Sequence, residues 1–158
     1  MATTAGKAAV QVVRGAEADV KSIKLAEGSK LASYNTLQLG EVTTDVPPIC
    51  TAEAMGKVRE GLREGLASDT VKKAFPGGGK KLKINVVCRF CKGKGVIGGE
   101  GRLDWLVTLA DGESGEELGV VHVEGVSESP LQHGISDMAE ENLKELAKFV
   151  TKHKKKAG

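Results

Sequence analysis

The sequence predicts an α+β fold: a β-α-β-β-β-α two-layer sandwich with a mixed sheet of about four strands, two helices on one face and an N-terminal arm. Three observations predict it. The stretch from Lys80 alternates apolar and polar side chains with a period of two. Two more alternating stretches follow after short links, as in an antiparallel meander. Stretches of helical periodicity precede and follow this block.

Residues 1–30 are read as an arm of small and polar residues with room for one strand. Its apolar run ends in Val10, Val12 and Val13, the candidate interaction residues. The opening strand of the domain is placed at Tyr34–Thr44 and is stopped by Pro47 and Pro48, which fix φ and restrict the residue before them. Thr51 suits a helix N-cap because its hydroxyl accepts an orphan backbone N–H. Met55, Val58, Leu62 and Leu66 follow at helical spacing. Gly56, Gly61 and Gly65 are each unfavourable there by about 1 kcal/mol relative to Ala, so something is expected to pack close to that face. A short helical turn, Asp69 to Phe75, ends at Pro76-Gly77-Gly78-Gly79.

In the strand from Lys80, residues Leu82, Ile84, Val86, Cys88 and Phe90 form the buried set. A glycine-rich link from Gly93 to Gly101 leads to a strand that buries Leu103, Trp105, Val107 and Leu109. The turn Asp111–Gly115 precedes a third strand at Glu117–Val126. After a loop containing Pro130, Ser136 is read as the cap of a last helix, with Asp137, Glu140 and Glu141 at its N-terminal end, where the dipole favours acids. Residues 31–152 are thus expected to form one domain, followed by a basic tail at 153–158.

Composition narrows the function classes. Twenty-three basic against twenty-one acidic residues leave a formal charge of +2, which implies no acidic partner. The aromatics Tyr34, Phe75, Phe90, Trp105 and Phe149 are scattered, which argues against a base-stacking platform and hence against nucleic acid. No apolar run is long enough for a transmembrane segment, and Met1–Gly6 show no secretory leader. Three cysteines are not a disulfide framework.

Cys88 and Cys91 lie in C-x-x-C-x-G-x-G, a string that resembles one zinc knuckle of the DnaJ-type chaperone cysteine-rich region. Such regions pair two knuckles, and this chain has one. In an unbroken strand Cys88 faces the core, Cys91 faces the other way, and their Cα atoms lie about 10 Å apart, which forbids a disulfide between them. Buried free cysteines are the preferred reading, and a metal or redox site at Cys88 and Cys91 is the alternative. Gly79-Lys80 is not a phosphate loop, because Ala74 and Lys81 break the pattern and a strand follows. The acids at 111–117 lack a calcium-loop pattern, and His122, His133 and His153 are isolated in sequence. No nucleophile elbow exists. Neither a catalytic residue nor a cofactor is expected, so the chain is read as a non-enzyme.

Several features together resemble a bacterial domain-of-unknown-function family of the 4410 type, common among envelope lipoproteins. These are Tyr34 in the opening strand, the helix from Met55 to Leu66, the strand Leu82–Phe90, Gly101-Arg102 and the turn Asp111-x-x-Ser114-Gly115-x-x-Leu118. The layout is also similar to the amino-terminal domain of TolB. The resemblance spans about three quarters of the chain and implies an envelope setting with no known activity. The expectation is a structural or protein-interaction module of the bacterial envelope or exterior. It would partner itself or another envelope protein by strand addition through the arm.

Overall fold

Alternation from Lys80 onward organises the molecule, as the computed structural model of residues 16–93, 100–127 and 134–156 shows. The strands are β1 (Glu17–Leu25), β2 (Tyr34–Thr44), β3 (Lys80–Lys92), β4 (Gly101–Asp111) and β5 (Glu117–Ser127). The helices are α1 (Gly28–Leu31), α2 (Ala52–Leu66), α3 (Asp69–Ala74) and α4 (Ile135–Lys156). One sheet has the order β1-β5-β4-β3-β2. β2 and β3 pair in parallel, as a βαβ crossover requires, and the other pairs are antiparallel.

The core lies between the sheet and the helices. Leu82, Ile84, Val86 and Cys88 from β3 meet Leu103, Trp105, Val107 and Leu109 from β4 and Val121 and Val123 from β5, all fully buried. Met138 and Leu143 of α4 and Val58 and Leu62 of α2 close the layer. Burying each side chain of this size contributes about 1.5–3 kcal/mol.

Thr51 caps α2 as its position predicts, accepting the Ala54 N–H at 3.2 Å. The helix glycines have a cause. A Cβ on Gly61 would sit 2.1 Å from the Ser136 carbonyl oxygen, and one on Gly65 would sit 2.9 Å from Leu143 Cδ2. Both glycines let α2 and α4 approach closely. Gly56 has nothing within 4 Å and has no such role.

Among the described residues the sheet has five strands rather than about four, and there are four helices where two and a short helical turn are expected. The additional strand is β1, on the edge beside β5, inside the stretch read as an arm. Its alternation is weak because a bulge between Ser22 and Lys24 interrupts it. Val10, Val12 and Val13 lie outside the described residues. Ser136 sits within the first turn of α4, which begins at Ile135, and does not cap it. The helix runs on to Lys156, so residues placed in the basic tail are helical. His153 Nε2 is 2.9 Å from the Ala26 carbonyl, and Lys154 donates to the Tyr34 carbonyl while lying over the Phe75 ring.

Candidate functional site

The cysteines differ most from expectation. In β3, Cys88 pairs with Trp105, Phe90 with Asp104 and Cys91 with Leu103, so Arg89 is an extra residue without a partner on β4. This bulge reverses the side-chain parity beyond it. Cys91 therefore returns to the helix-side face, 8% exposed, and Phe90 goes to the opposite face under the Arg102 guanidinium. Cys91 meets Cys50, in the loop between β2 and α2, with Cα atoms 5.1 Å apart, and the two form a disulfide. The expectation of an outward Cys91 and of free cysteines throughout is thus corrected at Cys50 and Cys91.

Cys88 is the free thiol and is buried. Burial pushes its pKa up to about 12, against the opposing pull of the Trp105 indole N–H and the Arg59 charge. The indole N–H is itself buried and makes no well-formed hydrogen bond. A protonated, buried thiol is a poor nucleophile. The sulfur of Cys91 is not a thiolate while bonded to Cys50, so Cys88 and Cys91 do not act together as two zinc ligands in this structure. Among the described residues, no three His, Cys, Asp or Glu side chains converge as a metal site.

The remaining candidates take structural places. Asp111 Oδ1 accepts the backbone N–H groups of Glu113 and Ser114, each at 2.8 Å, and Oδ2 accepts the Tyr34 hydroxyl at 2.7 Å. These hydrogen bonds hold the Asp111 carboxyl well below the usual range, the one from Ser114 foremost. Gly77, Gly78 and Gly79 have φ of 107°, 75° and 62°, a left-handed run that only glycine adopts without strain, and they link α3 to β3. The histidines are not without partners. His122 Nδ1 lies 3.5 Å from Glu124, and His153 meets Ala26; His133 lies outside the described residues.

Among the described residues, no further strand or helix covers the two sheet edges or the sheet face away from the helices. On the face away from the helices, Val87, Leu106 and His122 stand in one row, and Asn85, Thr108 and Val120 in the next, all part-exposed. Arg102 grips Asp104 there through two contacts of 3.0 and 3.1 Å. At the β2 edge, the Glu41 N–H turns inward to Asn85 Oδ1 at 2.9 Å, and Arg59 covers the Val42 carbonyl at 3.0 Å. The β1 edge carries Lys21 and Lys24 and a 64% exposed Ile23 at its bulge. Charge and bulge at an edge discourage indiscriminate strand pairing. No described helix is long and apolar enough to cross a membrane.

No family model matches the chain, and no curated protein matches it. Among solved structures it is similar to the PelC dodecamer from Paraburkholderia phytofirmans. For one single-substitution variant of that protein the identity is 12%, the TM-score 0.49, and 86% of this chain and 97% of the other are covered. For a second crystal form the identity is again 12% and the TM-score 0.45, with the same coverage. A likeness this distant carries no argument about function.

Proposed function

We propose that the chain is a non-catalytic structural or protein-interaction module of the bacterial cell envelope or exterior. The observation that carries this reading is the Cys50–Cys91 disulfide, which joins positions 41 residues apart. Disulfides form and persist in oxidising compartments and are rare where thiols are kept reduced. The family resemblance points the same way, and the titratable groups described above serve turns, caps and the core. The test is a thiol count on unfolded protein, purified from its native cells with free thiols blocked at lysis. One reactive thiol per chain, rising to three after reduction, is the expected result. Three before reduction would remove the export reading.

Self-association through strand addition is the accompanying reading. What supports it is the apolar run with Val10, Val12 and Val13, which precedes the edge strand β1 in the sequence. A truncation that tests this must stop before β1, because removing all thirty residues would also remove a strand of the sheet. Sedimentation of the full chain beside one lacking residues 2–15 should give an oligomer and a monomer. Two monomers would end this reading and leave the first standing.

A further inference from the structure

A groove of about 520 Å³ runs between α3 and the last turns of α4. Its walls carry Lys73 from α3 and Lys148, Lys152 and Lys155 from α4, with Thr70, Ala74 and Thr151 between them. The three α4 lysines are spaced i, i+4, i+7, which places them along one side of the helix. Lys148 pairs with Glu145 at 3.1 Å. Lys73, Lys152 and Lys155 have no acidic partner among the described residues. Toward the other end of the same helix, an adjoining hollow of about 250 Å³ is lined by acids and lysines together, Asp137, Glu140 and Glu141 with Lys144 and Lys148.

We infer that this groove is a binding site for a phosphoryl anion, carried either by a lipid headgroup or by a free phosphate compound. Four lysines from two helices line one groove, and three of them have no acidic partner among the described residues, in a chain whose formal charge is only +2. Lysines near a helix C-terminus answer the dipole, which amounts to about half a negative charge there, and three ammonium groups without an acidic partner exceed that several-fold. The excess suits a multiply charged counterpart. A phosphate brings up to two charges and three acceptor oxygens to compact ammonium donors, whereas a carboxylate brings one charge. Lysine stems, Ala74 and the threonine methyls make an apolar lining that suits the carbon skeleton beside such a group.

The test uses the full chain and two probes, pyrophosphate alone and vesicles of phosphatidylglycerol, with phosphatidylcholine vesicles as the neutral reference. The variant Lys73→Gln/Lys152→Gln/Lys155→Gln is compared with Lys21→Gln/Lys57→Gln/Lys92→Gln, which loses the same charge elsewhere. All six positions are exposed, so equal melting temperatures serve as the folding control. Binding of pyrophosphate identifies a free phosphate source, and binding of phosphatidylglycerol vesicles alone identifies a headgroup. In either case the groove variant should bind about a hundredfold more weakly, at about fivefold per lysine, while the control variant changes little. Binding of neither probe, or an equal loss in both variants, overturns the proposal. The test does not depend on the protein's compartment, so its failure would leave the envelope reading untouched.

Discussion

Opening the Cys50–Cys91 disulfide should cost this protein much of its stability, and almost all of that cost should arise in the unfolded chain. The bond closes a loop of 41 residues. A loop of that size loses about 13 cal/mol/K of unfolded-state entropy, or about 4 kcal/mol at 25 °C. For a domain of this length each kcal/mol shifts the midpoint by about 2–4 °C, so full reduction should lower Tm by about 8–16 °C. The assay is thermal unfolding of oxidised protein, protein held reduced, and a Cys50→Ala/Cys91→Ala variant. Cys50 is 1% exposed and Cys91 8%, so the variant adds a small cavity cost that the reduced wild type lacks. The reduced wild type is therefore the cleaner measurement, and the variant should melt at or slightly below it. A shift under about 1 kcal/mol on reduction would refute the reasoning, because a loop of this length cannot be so weakly constrained unless the bond is absent or the unfolded chain is already compact.

Three further predictions concern other parts of the molecule. Gly61→Ala drives a Cβ into the Ser136 carbonyl and should destabilise by about 2 kcal/mol net of its helix-propensity gain, whereas Gly56→Ala, facing open space, should stabilise by up to about 1 kcal/mol; urea melts that place the two changes on the same side of wild type would contradict this packing. The Asp111 carboxyl is depressed on folding, so its stabilising effect is present above the unfolded value near about pH 4 and is lost as pH falls toward the lower folded value. The stability gap between wild type and Asp111→Asn should therefore narrow between pH 5 and pH 2, and a constant gap in denaturant titrations would rule out the link. Cys88, with its thiol raised to about 12 by burial, should resist alkylation at pH 8 in the folded protein and react at once on unfolding; rapid labelling of native protein, read by mass, would disprove that environment.

Much of the fold was legible in the sequence because it rests on local repetition. The period-two runs at Leu82–Cys88 and Leu103–Leu109 became buried strand faces because one side of a sheet must face a core. Thr51 and the glycines at 61 and 65 each announced a local requirement, an orphan N–H to accept or a neighbouring helix to admit. The β1 strand was illegible for the converse reason. An edge strand beside solvent has charges on both sides of its pattern, and its bulge at Ile23 removes the alternation that identifies strands. In the candidate sites, sequence parity placed Cys88 correctly and Cys91 wrongly, because the parity argument assumes an unbroken strand.

The sequence by itself determined the α+β class, the parallel β2–β3 unit, the antiparallel meander and the core set apart from Phe90, since these follow from spacings within a few residues. Only the tertiary structure decided which cysteines meet. Arg89 has no partner on β4, and that single extra residue turns Cys91 toward Cys50, 41 positions away. Tertiary structure also decided that Lys73 joins Lys148, Lys152 and Lys155 around one groove, because the packing of α3 on α4 is not encoded in the spacing of either helix. Local periodicity sets which face a side chain takes; contacts between distant segments set what it meets there.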